Sequence, residues 1–442
     1  MTQPSRSLGW MSAAQLVVAS MVGTGIFTGS GYFLGDLPSA PALLIGWLLG
    51  GLLSLAGALA YGELCAALPQ NGGEYALLSR IYGPRIGHAA GVISIVAGFA
   101  GSIAAGAHAL GEYGLRAAGM NDDNALLVAV LALIVMSVVH LLPMRRGMAG
   151  QNLFTAVKVF LSLGMASALI ANGDVGRIDD ASIPLNDALL RPSFAGGLVY
   201  IAFAYTGWNA AAYVAGETVE AQRNVPRALF AGTLLVTTLY LLFNVGFLAS
   251  APLSVLGGEA DVAYVAARES LGEPAARGLS ALIAFGLLST MGAMIMTGAR
   301  VLEAMGRRDP RLASLVRRGP SEQPKAAVLF VAGLSLLLTL SGELRDLIVY
   351  VGVTLSLSAL LTVAGVFVLR RRQPELVRPY RCLGYPLTPL VFCVFSVWMI
   401  VFACLETPKA AAGGGLTLAL ALITYRKRPD NSESRTSACE SK

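Results

Sequence analysis

The stretch GTGIF at residues 23–27 and its counterpart YTGWN at residues 205–209 decide the fold. Each places a Thr-Gly pair in the middle of an apolar run that otherwise has the composition of a membrane helix. Inside a bilayer, backbone N–H and C=O groups without helical bonds cost several kcal/mol unless something polar takes them up. We therefore expect both stretches to be helix breaks that line a cavity or a ligand. Matching breaks in the two halves of a polytopic protein are typical of a secondary transporter with a substrate site near the bilayer midplane.

Composition places the whole chain in a membrane. Of its 442 residues, 55% are hydrophobic and only 13% are charged, which excludes a water-soluble domain. The net charge of +6 comes from short basic clusters between apolar runs, and this pattern favours a topology signal over a nucleic-acid-binding face. We therefore expect membrane lipid around the protein and no nucleic acid as a partner.

The cysteines predict neither disulfides nor a metal site. They show no paired or metal-binding spacing, and most lie in or beside apolar runs: Cys65, Cys382, Cys393, Cys404 and Cys439. We also expect no cofactor. The first apolar run is preceded by a short polar N-terminus without a cleavage site, so it is interpreted as a retained span.

Apolar stretches of roughly 20 residues, the length that crosses a bilayer, occur about twelve times. They lie near 10–35, 41–68, 85–115, 124–143, 149–171, 193–219, 225–250, 275–305, 325–342, 345–370, 384–405 and 409–426. The chain is therefore predicted to be an all-α integral membrane protein with a single transmembrane domain over residues 1–426. Residues 427–442 are rich in serine and charge, and this composition predicts a disordered cytoplasmic tail.

The distribution of basic residues predicts the orientation. Basic clusters follow even-numbered spans, at Arg145 and Arg146, at 307–325, at 370–381 and at 426–428. The opposite connection, residues 172–191, carries mainly aspartates. Because cytoplasmic loops are enriched in Lys and Arg, we expect a multi-pass protein of the cell membrane with both termini in the cytoplasm.

The two breaks predict a socket for a zwitterion. A half-helix N-terminus offers free N–H groups and partial positive charge, and a half-helix C-terminus offers carbonyls and the opposite charge. We expect the amides of Thr24, Gly25 and Ile26, next to Val22 and Gly23, to face a carboxylate. We expect the carbonyls of Phe203, Ala204 and Tyr205 to take an ammonium group. An α-amino acid backbone carries both charges. Close helix packing is the alternative explanation for the glycines.

If Gly25 leaves space for a carboxylate, Gly25→Val should abolish transport while stability changes little. A loss of expression that matches the loss of transport would instead favour the packing explanation.

At these residues the chain resembles the amino acid–polyamine–organocation superfamily of transporters, most closely its L-type amino acid transporter-like branch. The resemblance covers nearly the whole chain, through VGTGIF at 22–27, PQNGGEY at 69–75, QNLFTAVK at 151–158, FAYTGWN at 203–209, TGAR at 297–300 and RPYR at 378–381. It implies a five-plus-five inverted repeat of the leucine-transporter type with broken helices 1 and 6. Repeat one would cover about 10–171, repeat two about 193–370, and two extra helices about 384–426. It also implies sodium-independent amino acid transport, often by exchange.

Lys158 is the charged residue that the resemblance makes most informative. A lysine at this place looks like a replacement for a bound sodium ion, with its ammonium bridging the carbonyls beside Gly23 to Ser289 or Thr290 in the eighth span. The alternative is that Lys158 snorkels, because it lies only seven residues past Gln151.

The residues around the second break also invite assignments. Phe203 and Trp208 are interpreted as pocket wall and lid, although aromatic residues are common in spans. Many relatives carry glycine where this chain has Thr206, so we expect a narrower or more polar pocket. Asn209 either bridges the break or caps the second half-helix.

These features predict transport of neutral L-α-amino acids, by exchange or permeation. A cationic amino acid or polyamine exchanger is the alternative, but the spans around the breaks carry no carboxylate for such a substrate. A channel or sensor lacks a repeated filter sequence, and no motif supports an enzyme. The loop from Arg116 to Asn124 contains no cysteine, so no disulfide-linked heavy chain is expected.

Overall fold

The computed structural model describes residues 8–141, 148–307, 309, 312–315 and 324–425. Across these residues the secondary structure is helical, and β-structure is limited to two isolated bridges, Leu8 with Thr218 and Ser39 with Ala181. This confirms the all-α prediction for the described part of the chain. The basic pair Arg145 and Arg146 and the predicted tail at 427–442 lie outside the described residues.

The α-helices are numbered here in chain order. They are α1 (Trp10–Met21), α2 (Thr24–Asp36), α3 (Ala40–Ala67), α4 (Gly73–Tyr82), α5 (Pro84–Ile93), α6 (Ser102–Ala118), α7 (Ala125–Leu141), α8 (Met148–Asn172), α9 (Leu185–Leu190), α10 (Pro192–Ala204), α11 (Ala221–Ser250), α12 (Leu253–Leu256), α13 (Val262–Leu271), α14 (Glu273–Gly306), α15 (Lys325–Ser341), α16 (Leu344–Arg372), α17 (Leu387–Glu406) and α18 (Pro408–Thr424). A π-helical segment, Ser94–Gly101, joins α5 to α6.

Eight helical stretches in the described residues are long and apolar enough to cross a membrane. Four shorter apolar helices, α7, α10, α15 and α18, occupy the remaining predicted spans. Three of them have 17 residues, at the lower end of the range of about 17–25 that spans a bilayer. The fourth, α10, is short because the second break ends it. The eight long stretches have the length and composition of a multi-pass membrane protein.

Burial separates a central group of spans from a peripheral one. Within its most apolar window, the span Pro84–Ala118 is 83% buried, whereas Thr155–Asn172 is 22% buried and α17 is 28% buried. The broken helices α1, α2 and α10 belong to the central group and pack on α3 and α11. The breaks therefore lie inside the protein, where backbone groups without helical bonds can meet polar partners.

Helix α4 is largely buried. Residues 73–78 and Ile81 of this helix are covered by other parts of the protein. The chain enters this helix through Gly72 and Gly73, whose φ angles of +113° and +55° are left-handed and favour glycine. The turn directs α4 into the protein, so its side chains reach the interior.

Candidate functional site

The first break separates α1 from α2 at Val22 and Gly23. Helix α2 begins at Thr24, so the N–H groups of its first turn have no partner within the helix. No side chain caps this end at Gly23. The break therefore presents free donors and the positive end of a helix dipole to the protein interior.

The second break begins where α10 ends at Ala204. Residues 205–209 form turns, and a 3₁₀-helix, Ala210–Val214, follows. Gly207 has a φ of +97°, and a Cβ atom placed there would lie 2.8 Å from the backbone of Ser20. Only glycine fits a left-handed position this close to another backbone. The expected second half-helix is thus a single 3₁₀ segment, and Asn209 does not cap it with its side chain.

The two breaks are packed directly against each other. A Cβ atom on Gly25 would lie 2.3 Å from Cα of Ala204, so the N-terminus of α2 meets the C-terminus of α10. The expectation that Gly25 leaves space for a ligand group was wrong, because Ala204 fills that space. The packing explanation holds for this glycine, while the ends of the two half-helices still lie together.

Tyr240 on α11 joins the two breaks. Its hydroxyl lies 2.6 Å from the carbonyl oxygen of Met21 and 3.0 Å from that of Ala204. The side chain is fully buried, so the hydroxyl supplies a polar partner where helical bonding stops. The sequence analysis missed this residue, since a single tyrosine in an apolar span carries no local signal.

The carbonyls predicted to take an ammonium group also have partners inside the protein. The Phe203 carbonyl accepts from the Thr206 amide at 2.9 Å and from its hydroxyl at 2.7 Å. The Tyr205 carbonyl accepts from the Trp208 amide at 3.4 Å. The Thr206 hydroxyl therefore adds a polar group at the second break. Tyr205 itself points away, because its hydroxyl donates to the Trp47 carbonyl on α3.

Lys158 reaches the first break from α8. Its Nζ donates to the Val22 carbonyl and to the Thr290 hydroxyl, which lies at 3.2 Å on α14. Ser289 is half-buried on the same helix as Thr290. The ammonium thus lies between the first break and α14 and contacts both.

Among the described residues three cavities adjoin the breaks, and one of them, of about 20 Å³, lies beside Gly23 and Lys158. A small one of about 20 Å³ lies between the half-helices and is bordered by Thr24, Gly25, Phe203, Ala204, Thr206 and Ser102. A larger one of about 150 Å³ begins at Ser20 and Thr206 and continues past α1 and the 3₁₀-helix toward α4 and α17. Ser20, Ser102 and Thr206 border both, so the two cavities are neighbours at the breaks.

Trp208 lies on the wall of the larger cavity. Its ring packs edge to face on Tyr61, with centroids 4.7 Å apart, and on Phe392 at 6.1 Å. Gly57 on α3 makes room for this ring. Trp208 therefore borders the larger cavity, whereas Phe203 borders the small cavity.

Glu74 on α4 is a carboxylate that the sequence analysis did not assign to the site. It borders the larger cavity, where its Oε1 accepts from the Tyr61 hydroxyl at 2.6 Å and from the Asn209 amide at 2.9 Å. The Ser358 hydroxyl donates to its other oxygen. Burial raises the pKa of Glu74 above its ordinary value, against the opposing effect of these donors. Asn209 thus links the second break to α4.

The opposite side of the breaks is closed. Asp36 at the end of α2 forms an ion pair with Arg345 on α16 at 2.5 Å, and Tyr200 on α10 bonds to both. The Gly258 amide donates to the Gly31 carbonyl at 2.7 Å, which seats the segment before α13 on α2. These contacts join α2, α10 and α16 on the side of the breaks away from the larger cavity, and a separate cavity of about 230 Å³ borders Asp36, Tyr200 and Arg345 there.

The chain is similar to known amino acid transporters. A family model described as amino acid permease matches residues 8–425. The large neutral amino acids transporter small subunit 2 of Oryctolagus cuniculus is 28% identical over 432 residues, which are 94% of this chain and 78% of that protein. The b(0,+)-type amino acid transporter 1 of Homo sapiens is 27% identical, over 92% of this chain and 84% of its own. The Asc-type amino acid transporter 1 of Homo sapiens is 27% identical, over 96% and 83%.

Proposed function

The chain belongs to the amino acid permease family, and we propose that it carries neutral L-α-amino acids across the cell membrane by sodium-independent alternating access. Its family and its relatives are transporters and not enzymes, and they move amino acids. The proposal also specifies a neutral substrate, a sodium-independent mechanism, and a location in the cell membrane with both termini in the cytoplasm. It combines the predicted orientation with the geometry of the breaks.

The observation that carries the proposal is the meeting of two opposite helix ends. The N-terminus of α2 offers N–H groups at Thr24, and the C-terminus of α10 offers carbonyls at Ala204, with the small cavity between them. Positive and negative helix ends side by side fit the α-carboxylate and α-ammonium groups of one amino acid. Each bonded carbonyl keeps a second lone pair with which it can accept from an ammonium group.

The position of the larger cavity on one side of the breaks supports alternating access. With the predicted orientation, the larger cavity faces the cytoplasm, and the ion pair of Asp36 with Arg345 closes the outer side. This is the arrangement of an inward-facing transporter, and a five-plus-five inverted repeat would supply the reverse state. A channel would need a path through both sides, so the closure disfavours the channel alternative.

Lys158 supports sodium independence. Its ammonium donates to the Val22 carbonyl at the first break and to Thr290 on α14, which are oxygen atoms that a small cation would otherwise need to contact. One position cannot hold both cations. We infer that the lysine supplies the positive charge there and that Thr290, more than Ser289, is its partner.

A cationic substrate is the second candidate. The spans around the breaks carry no carboxylate for it, but Glu74 places one beside the larger cavity. Glu74 is buried, however, and its oxygens already accept from Tyr61, Asn209 and Ser358. A substrate ammonium would have to displace these donors. Neutral side chains remain the better fit.

We also propose that transport needs no disulfide-linked heavy chain. The segment from Arg116 to Asn124 contains no cysteine. The four cysteines that the structure describes, Cys65, Cys382, Cys393 and Cys404, are unpaired.

Flux in proteoliposomes made with the purified chain alone tests the proposal. One labelled neutral amino acid is taken up in competition with each other amino acid, with the decarboxylated amine and with the N-acetylated form, with and without sodium. We expect neutral L-α-amino acids to compete and both analogues to fail, without a sodium effect. If the amine competes as well as its parent amino acid, the zwitterion socket is wrong. Competition led by lysine or arginine would establish the cationic alternative, and no flux of any amino acid would favour a sensor.

A further inference from the structure

Glu74 is a buried acid that has no role in the transport mechanism proposed above. Its side chain is only 2% exposed, and it contacts three other elements of the fold. Tyr61 on α3, Asn209 at the second break and Ser358 on α16 all donate to it. Any change in the charge of this carboxyl therefore acts directly on the segment that follows the substrate site.

The groups that face Glu74 leave it without a positive counter-charge. The titratable side chains around it are the phenols of Tyr61 and of Tyr213 on the 3₁₀-helix, and α16 contributes the neutral hydroxyl of Ser358. On α5, which packs beside α4, His88 turns away to bond Thr424 on α18. Among the described partners of Glu74 there is no lysine or arginine. An acid that is buried among neutral groups takes up a proton more readily than one in water.

We propose that Glu74 is a proton-binding site linked to the amino acid site through Asn209, so that the substrate and one proton bind together. The inference rests on the proposed function above, since it needs an amino acid bound at the breaks. Asn209 lies only three residues after Thr206, which borders both cavities. A ligand that reorders this turn draws the Asn209 amide away from the carboxylate.

The direction of the linkage follows from that movement. A donor to a carboxylate stabilises its ionised form, so loss of the Asn209 bond raises the pKa of Glu74 further. Substrate binding then takes up a proton. Because linkage is reciprocal, acidification must tighten substrate binding, by up to about tenfold for each unit by which the substrate raises the pKa.

Binding of a neutral amino acid to the detergent-purified, full-length protein measures this effect without transport. The dissociation constant is determined at a series of pH values from alkaline to acidic, through the titration of a carboxyl group whose pKa burial has raised. We expect affinity to increase on acidification in the unmodified protein and to be independent of pH in Glu74→Gln, which cannot ionise. Glu217→Gln is the matched control, since Glu217 is a nearby acid held by Asn71, and it should keep the pH dependence.

A second variant guards against misfolding of Glu74→Gln. Ser358→Ala removes one donor from the carboxylate, so the midpoint of the pH dependence should move to higher pH while the substrate still binds. The inference would be overturned if the affinity of the unmodified protein did not depend on pH or weakened on acidification. It would also be overturned if Glu74→Gln kept the pH dependence, or if the midpoint did not move in Ser358→Ala. Amino acid flux that is present but insensitive to pH would leave the proposed function standing without the proton site.

Discussion

At the scale of single residues, two side chains supply what the broken helices lack. Tyr240 satisfies carbonyls from both breaks with one hydroxyl, and Lys158 satisfies the Val22 carbonyl with an ammonium group. Neither lies in a broken helix: Tyr240 belongs to α11 and Lys158 to α8. The geometry of the proposed substrate site is therefore held by residues of neighbouring helices.

Tyr240→Phe should weaken substrate binding. The change removes the hydroxyl from the carbonyls of Met21 and Ala204, and a buried acceptor left unsatisfied costs about 1–3 kcal/mol. We expect the dissociation constant for a neutral amino acid to rise about fivefold or more, measured by binding to the purified protein. Tyr264→Phe, which removes a hydroxyl bonded to Glu273 on the other side of the protein, is the control. Unchanged binding in Tyr240→Phe would show that the two breaks hold their geometry without this bond.

Lys158→Ala should reduce transport severely. The Val22 carbonyl and the Thr290 hydroxyl would lose their cation, which loosens the start of α2. Lys158→Arg should not restore transport, because a planar guanidinium cannot occupy the place of a compact ammonium. Uptake into proteoliposomes, with sodium present and with sodium replaced by an organic cation, provides the measurement. A Lys158→Ala protein that transports at the parent rate would make snorkelling the better explanation, and sodium-stimulated uptake by the unmodified protein would count against the replacement of sodium.

At the scale of elements, the two breaks are built differently. The first is a gap of two residues between α-helices, whereas the second continues as turns and a 3₁₀-helix. The second break leaves Asn209 free to reach α4, and α4 is buried because a glycine turn directs it inward. The substrate site and α4 are thus one connected unit.

Gly207→Ala should prevent the second break from forming. Alanine at a φ of +97° is strained by about 1–3 kcal/mol, and its Cβ would also meet the Ser20 backbone. We expect low folded yield and a lower melting temperature, measured by size-exclusion chromatography and thermal unfolding. Gly196→Ala is the matched control, because a Cβ on that glycine of α10 has open space around it. Equal stability of the two variants would mean that the turn at Gly207 tolerates another conformation.

At the scale of the whole molecule, the contacts on one side of the breaks and the cavity on the other fit one state of the proposed transport cycle. The closure depends on residues far apart in sequence, since Asp36, Tyr200 and Arg345 come from α2, α10 and α16. Arg345 also lies over the rings of Tyr32 and Tyr200. Opening this side requires all of these contacts to separate together.

Asp36→Asn should shift the protein toward the state that is open on the side now closed. The pair is partly exposed, with 48% of the Arg345 side chain accessible, so its contribution is about 0.2–1 kcal/mol after solvent screening. A change of this size alters the population ratio by up to about fivefold. Hydrogen–deuterium exchange of α2 and α13 should increase. The charge swap Asp36→Arg with Arg345→Asp should restore protection, and exchange that stays unchanged in Asp36→Asn would show that the ion pair does not hold this side.

Local sequence features predicted the membrane class, the helical fold and the positions of both breaks. These features are local, because the length of an apolar run sets a span and a Thr-Gly pair within it marks the break. Family resemblance placed Lys158 next to the first break, where the structure has it. The prediction of free space beside Gly25 was wrong, since the distance from Gly25 to Ala204 depends on how α2 and α10 pack.

Only the tertiary structure decided which side chains complete the site. Glu74 meets Ser358 across 284 residues, Tyr240 meets Met21 across 219, and Arg345 meets Asp36 across 309. No pattern within a helix encodes such partners, because the spacing of apolar residues specifies which face is buried and not which helix covers it. The Glu74 carboxylate, on a short helix outside the candidate spans, therefore lies buried beside the larger cavity.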